Sequence, residues 1–266
     1  MNIVDKNAPI SLSVDNTLNE SQMKSRKVNI SMDRLAARGM ISPQSANSKI
    51  SEEYRLIKLP LLRNAFGHGA AEVEKGNLIM VTSSQPGEGK TFTAINLAIS
   101  MSMELDKKVL LVDADVARPS VAKYLSIEAQ EGLVDVLLNP DMELSDVMLR
   151  TNLPNLSILT SGRSFPRATE LLASDAMVNL ANEMAQRYPD RVVIFDSPPL
   201  LASSESTVLS GLVGQIVMVV EAEKTLQYVL SEALGLINQD KVIGMVLNKS
   251  RSPRGTDYYG SYHYHN

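Results

Sequence analysis

Apolar residues along the chain gather in short runs separated by helix-length segments of mixed polarity. The runs NLIMVTS (77–83), KVLLVDA (108–114), LSILTSG (156–162), RVVIFDS (191–197), GQIVMVVEA (214–222) and KVIGMVLNK (241–249) are near-continuous and rich in β-branched residues. Runs of this kind are buried on both faces, as strands of a parallel sheet are; a one-sided antiparallel sheet would alternate instead. Between them, 91–104, 168–188 and 225–238 have helical spacing. Strand alternating with helix predicts an α/β fold, a doubly wound and mostly parallel sheet with helices on both faces, whose ligands sit at the carboxyl ends of the strands.

The pattern is absent at both ends of the chain. Residues 1–50 are rich in Ser and Asn and hold no aromatic residue, so they offer too little apolar surface to offset the entropy of ordering. They read as a flexible basic arm before a folded unit at 51–250. Within the arm, over 21–49, Lys24, Arg26, Lys27, Arg34, Arg38 and Lys49 face a single acid, Asp33; a solvated linker and a docking arm for a partner or an anionic membrane both fit that charge. A short helix starting at Ser31 and stopping at Gly39 is allowed. Residues 251–266 form a tail of turn formers and tyrosines, in which the final nine residues hold four of the chain's eight tyrosines. That clustering, without apolar periodicity, does not suit core packing.

Composition narrows the function classes. The 266 residues, 44% hydrophobic, suffice for one sizeable domain, and a formal charge of -4 gives no reason to expect nucleic acid as a partner. The absence of Cys removes disulfides, thiolate metal sites and cysteine nucleophiles, and fits a reducing compartment. The start carries no signal-peptide pattern, and the apolar runs fall short of the ~20 residues a bilayer crossing needs. A cytoplasmic chain is expected, with any membrane attachment supplied by a partner.

Chemistry enters at SSQPGEGKT (83–91), which follows a strand and opens a helix as a phosphate loop must. Gly87 and Gly89 let the backbone approach phosphates, Lys90 is placed to reach the β/γ-phosphates, and the Thr91 hydroxyl to ligate Mg²⁺. The strict pattern GxxxxGK[ST] fails at Ser84. Asp113 and Asp115, two apart, lie on one side of an extended segment, and Asp196 follows a four-residue apolar run. ATP and Mg²⁺ are therefore the expected ligands. Pro86, Gly87, Glu88, Gly89, Lys90, Thr91 and Phe92 form the expected nucleotide loop, with Thr91, Asp113, Asp115 and Asp196 around the metal.

Taken in order, IMVTSSQPGEGKT, VLLVDADVARP and VVIFDSPP resemble the bacterial tyrosine kinases, an autophosphorylating P-loop family linked to polysaccharide synthesis. The likeness covers about residues 50–266. It implies the P-loop NTPase architecture of the deviant Walker type, shared with septum-placing and partition ATPases, and it makes Ser84 ordinary. GRSFPRATELL (162–172) is similar to the family's PxxxELL segment, and MVLN (245–248) to the strand end whose Asn, here Asn248, contacts adenine. EEYRLIK (52–58) is similar to the ExxRxxR helix that packs protomers into a ring; Glu52 and Arg55 match, and Lys58 replaces Arg. Ala117 stands at the Arg position of the family's second signature, with Arg118 following, and Glu205 stands where the family usually has Asp.

The resemblance implies a protein-tyrosine autokinase. Lys90 would fix the γ-phosphate, Thr91 and Asp196 would hold Mg²⁺ with Asp115 supporting its shell, and Asp113 would orient and deprotonate the acceptor phenol. The acceptors would be Tyr258, Tyr259, Tyr262 and Tyr264, mainly of a neighbouring protomer. It further implies a ring-type homo-oligomer that phosphorylation disperses, and a membrane-anchored polysaccharide co-polymerase that recruits the kinase to the inner face of the membrane. Control of exopolysaccharide polymerisation or export follows. DRLAARGMIS (33–42) resembles kinases of exosortase-associated exopolysaccharide loci. The other reading of the loop is an ATPase switch of the septum-placing or partition type, binding a membrane partner without kinase activity. Those relatives usually carry Lys where this chain has Gln85, and often end in an apolar amphipathic helix where this chain has tyrosines.

Overall fold

The computed structural model describes residues 26–45, 47–67, 72–128, 130–187 and 190–251. The six predicted strands all form: β2 (Leu78–Ser83), β3 (Lys108–Asp113), β5 (Leu156–Leu159), β6 (Arg191–Asp196), β7 (Gln215–Glu221) and β8 (Val242–Asn248). Two short additions, β1 (Lys27–Val28) and β4 (Leu149–Thr151), complete an eight-stranded sheet of order β1-β4-β5-β3-β6-β2-β7-β8. Every pairing is parallel except β4 with β5. Alternate residues of the central strands feed two cores. Leu78, Met80, Leu110, Val112, Val193 and Phe195 enter one, and Ile79, Val81, Val109, Leu111, Val192 and Ile194 the other. Burial on both faces is why these strands read as continuous apolar runs.

β8 departs from that expectation. It lies at the sheet edge, and Met245 and Leu247 are 65% and 64% exposed. An edge strand has a neighbour on one side only, so an apolar run does not guarantee cover there.

The helix α3 (Lys90–Ser102) packs on β2, β3 and β6 and is buried over nearly its whole length. The predicted helix at 168–188 divides into α7 (Ala168–Leu172) and α8 (Asp175–Gln186). Ser174 makes the break: its Oγ accepts from the Met177 N–H and donates to the Leu171 carbonyl, capping the second helix. The helix predicted at 225–238 is the shorter α10 (Gln227–Leu234). Four helices between the predicted elements, α4 (Val121–Leu125), α5 (Leu133–Leu138), α6 (Leu144–Val147) and α9 (Ser204–Leu212), complete the layers. Among the described residues no helix is long and apolar enough to cross a membrane.

The arm expected over 1–50 is corrected from residue 26 onward. α1 (Met32–Ala37) forms with Ser31 as its N-cap, and Gly39 follows in the left-handed region at φ 66°. Ile30, Leu35, Met40 and Ile41 are buried in the α3-side core. The Ile41 N–H donates to Asn96 Oδ1 at 2.7 Å, and Ile30 exchanges two hydrogen bonds with Asn152. A handful of well-placed apolar residues anchors a segment whose average composition is polar. Residues 1–25 lie outside the described residues.

Candidate active site

β2 ends at Ser83, the loop runs through Ser84–Gly89, and α3 begins at Lys90. Gly87 and Gly89 have φ of 90° and 103°, values that favour glycine. Ser84 is absent from the positive-φ residues and is fully buried, its carbonyl accepting from the Leu201 N–H at 3.2 Å. A glycine is therefore not required at the position where the strict pattern demands one. Glu88, expected among the nucleotide contacts, turns its carboxylate into the protein: it accepts from the Gln85 N–H at 2.8 Å and from the Thr225 hydroxyl. The far side of the loop is gripped by the end of β8. Asn248 Nδ2 donates to the Glu88 carbonyl at 2.8 Å, and Lys249 Nζ to that of Gly87 at 2.6 Å. Sequence reasoning missed Lys249, and only its place beside Asn248 hinted at it.

The adjacent strands β3 and β6 put Asp113 and Asp196 in register. Lys90 Nζ lies 2.7 Å from Asp115 Oδ2 and 3.7 Å from Asp196 Oδ1. Thr91 Oγ1 donates to Asp196 Oδ2 at 2.7 Å. Asp113 Oδ2 accepts from the Ser120 and Val121 N–H groups, both at 2.9 Å, and so caps α4. The remaining oxygens, Asp113 Oδ1 and Asp196 Oδ1, are buried without a hydrogen-bond partner. The loop and all three carboxylates of the expected set thus meet at one sheet edge.

Burial shapes the titration of this cluster. It raises the Asp113 carboxyl to about 7, helped by the charge of Asp196. Asp196 is raised to about 6 by its own burial, against the pull of the Lys90 ammonium. For Lys90, burial acts to lower the pKa, but the charges of Asp196 and Asp115 outweigh it and the ammonium is held above its ordinary value. Three acids around one lysine leave an excess of negative charge in a low-dielectric site, which a divalent cation would relieve. Among the described residues no group of three or more acidic or histidine side chains is placed to hold a metal by itself. Mg²⁺ asks for less: it binds through one or two protein oxygens and completes its shell with water and substrate phosphates. The Thr91 hydroxyl and the unpartnered Asp113 and Asp196 oxygens fit that demand.

Two cavities lie near the site. One, of about 680 Å³, is lined by Pro86, Gly87, Lys90, Asp115 and Arg118 on one side and by Thr169 and residues of 198–205 on the other. Asp115 lines it, whereas Asp113 and Asp196 are fully buried. Glu205 ties the opposite wall together, accepting from Thr169 Oγ1 at 3.2 Å and from the Ser203 hydroxyl. The other cavity, of about 610 Å³, contains Phe92 and Asn248 together with Lys49, Glu53 and Tyr54. The expected phosphate contacts Pro86, Gly87 and Lys90 and the expected base contact Asn248 therefore line two different cavities.

The helix α2 (Lys49–Ala65) carries the three residues assigned to a subunit interface. Glu52 and Arg55 are exposed and pair with each other. Lys58 is corrected: its Nζ donates to the Ser100 carbonyl at 2.8 Å and lies 2.6 Å from Glu104 Oε1, inside the chain. It points from α2 toward the C-terminal end of α3, where the helix dipole favours a cation. The acceptor candidates Tyr258, Tyr259, Tyr262 and Tyr264 lie outside the described residues.

Comparison with known proteins gives this geometry its relatives. A family model described as an AAA domain matches residues 76–245. The tyrosine-protein kinase YwqD of Bacillus subtilis (strain 168) is 33% identical over 226 residues, which make up 84% of this chain and 90% of that protein. The tyrosine-protein kinase ptk of Acinetobacter johnsonii is 34% identical over 202 residues, 75% of this chain but only 27% of the longer relative. The crystal structure of the chimerical protein CapA2B2 superposes with a TM-score of 0.69 at 28% identity, covering 88% of this chain and 98% of that one. With its nucleotide loop, its strand-end carboxylates and an alignment that runs nearly the full length of YwqD, the chain belongs to the bacterial tyrosine-protein kinases, on an AAA-type domain.

Proposed function

We propose that the chain transfers the γ-phosphoryl group of ATP to the tyrosines of the cluster Tyr258, Tyr259, Tyr262 and Tyr264, chiefly on neighbouring copies of itself. The observation that carries this reading is the convergence of Lys90, Thr91, Asp113, Asp115 and Asp196 beside a cavity of about 680 Å³, with room for a phenol as well as phosphates. Phosphoryl transfer asks a protein mainly for positioning and charge neutralisation. Lys90, protonated and now paired with Asp115, exchanges that carboxylate for the γ-phosphate. Loop N–H groups and the start of α3 add partial positive charge. Thr91 and Asp196 would hold Mg²⁺, directly or through water, with Asp115 beside them; the ion would supply positive charge against the transferring group. The base lies in the second cavity, against Phe92 and Asn248.

During transfer the phenolic oxygen forms a bond to the γ-phosphorus as the β,γ-bridging bond breaks and ADP leaves. The phenolic proton passes to Asp113. Its Oδ1 accepts no hydrogen bond, and a carboxyl with a pKa of about 7 is a better base than an ordinary one. Its burial does not remove it, because the hydrogen bonds of a catalytic group commonly tighten only when substrate arrives.

In this reading Glu52 and Arg55 join protomers into a ring. Each tail phosphate adds about -1.5 to -2 charge, so multiple phosphorylation disperses the ring by repulsion. The motif resemblance supports recruitment to the inner membrane face by a membrane-anchored polysaccharide co-polymerase, and control of exopolysaccharide polymerisation or export. The test is tandem mass spectrometry of the tail, with light scattering, after ATP and Mg²⁺ are added. Phosphotyrosine should appear in 251–266, should fall by at least about 10²–10³-fold in Lys90→Met, and should lower the assembled mass. An unmodified tail overturns the proposal. Replacing the four tail tyrosines with Phe should abolish the mass change, whereas a partition-type switch would keep its nucleotide response.

A further inference from the structure

The wall of the larger cavity carries a cation that the proposed mechanism does not use. Arg118 lines the cavity and is exposed, and no described residue pairs with its guanidinium. Its backbone is nonetheless fixed. The Arg118 N–H donates to Asp115 Oδ1 and to the Asp115 carbonyl, each at 3.1 Å, and the same Asp115 holds Lys90. The guanidinium is thus rooted one link from the phosphate-binding lysine and free to meet something that enters. Pro198 and Pro199, both buried, also line the cavity.

The tail holds one matching group. In RSPRGTDYYGSYHYHN (251–266), Asp257 is the single acid among four tyrosines. An Arg fork takes a carboxylate through two hydrogen bonds, a match that a Lys would not reproduce. In an extended segment residues two apart share a side, about 7 Å from each other, while adjacent residues point opposite ways. In a tail that binds extended, Asp257 and Tyr259 would share a side and Tyr258 would face away.

We propose that Arg118 selects the acceptor by pairing with Asp257 of the incoming tail, so that Tyr259 is phosphorylated first. This inference rests on the tyrosine-kinase reading above. Arg118 is here a specificity-determining residue; it takes no part in bond making. The pair forms at a cavity rim that water still reaches, so its effect is moderate and falls with added salt.

The experiment follows phosphate at each tyrosine of the full chain over time, by mass spectrometry with ATP and Mg²⁺. In the unaltered protein Tyr259 should lead. Arg118→Gln and Asp257→Asn should each slow Tyr259 by about three- to tenfold, and the two together no further. The charge-swapped double variant, Arg118→Asp with Asp257→Arg, should recover part of the loss. Asp257→Asn leaves every residue of the folded site in place, so its effect is legible even if an Arg118 variant folds poorly. Retained binding of fluorescent ADP identifies the Arg118 variants that are folded. Independent, multiplicative losses, or equal slowing of all four tyrosines by Arg118→Gln with no effect of Asp257→Asn, would sink the inference and leave the kinase reading standing. A protein that acquires no phosphotyrosine at all removes both.

Discussion

Burial raises the proton affinity of Asp113, Asp196 and Tyr54, with different consequences. Asp113 is raised to about 7 in a site whose excess negative charge a cation can neutralise. Tyr54, on α2, is raised to about 12, first by burial and then by the nearby charge of Glu53. No charge partner compensates the Tyr54 phenolate, so its linkage can be worked out simply. Below pH ~10 the phenol is protonated in folded and unfolded chains alike, and it makes no difference to stability. Between about 10 and 12 the unfolded chain loses the proton and the folded chain keeps it, so stability falls as pH rises. The loss approaches roughly 2–3 kcal/mol once both states are ionised. Tyr54→Phe lacks this contribution. The difference in unfolding free energy between the two proteins, followed by urea titration from pH 9 to 12, should shift by about that amount in favour of Phe. A flat difference would mean that Tyr54 is more hydrated than its burial indicates.

The segment from Arg26 to α2 shows which part of an element is written locally. Ser31 as N-cap, the helical run after it and Gly39 as its stop are near-neighbour signals, and α1 appears where they put it. Its burial is not local. Ile30 is held by Asn152 and Ile41 by Asn96, residues more than fifty positions away. Composition averaged over fifty residues could not register that, and it predicts a mobile arm instead. Leu35 is 1% exposed and has few ways to be replaced by its surroundings. Leu35→Ala should cost about 2–4 kcal/mol of unfolding free energy in a denaturant titration. A flexible arm would tolerate the same change within about 0.5 kcal/mol. Ser174 makes the converse point: a cap signal lay inside the predicted helix at 168–188, and the apolar periodicity on either side concealed it.

For the molecule as a whole, α2 faces two ways. One side, with Tyr54, Lys58 and Leu61, packs inward, and Lys58 holds the end of α3, the helix that begins at Lys90. The other side shows Glu52 and Arg55 to solvent. Assembly and stability should therefore separate. Arg55→Ala should lower the mass of any oligomer seen by light scattering while changing monomer stability by less than about 0.5 kcal/mol, since an exposed ion pair contributes little. Lys58→Met should cost about 1–3 kcal/mol by leaving the Ser100 carbonyl and Glu104 without their partner. If Lys58→Met altered mass and left stability untouched, the inward placement of Lys58 would be wrong.

By itself the sequence determined six of the eight strands, the loop motif and the strand-end acids, because each is signalled by residues within a few positions of one another and by the alternation of β and α. It also placed Lys90, Asp113, Asp115 and Asp196 at one edge, since parallel strands deliver their carboxyl ends together. Only the tertiary structure decided that Lys58 turns inward, that Glu88 staples the loop to Thr225, that Lys249 grips it from β8, and that Ile30, Leu35, Met40 and Ile41 pack into the core. Those outcomes depend on which elements become neighbours. β2 comes to lie between β6 and β7, and β8 reaches the loop through that order. A side chain's partner across such a distance is chosen by the packing of the sheet, which local spacing does not encode.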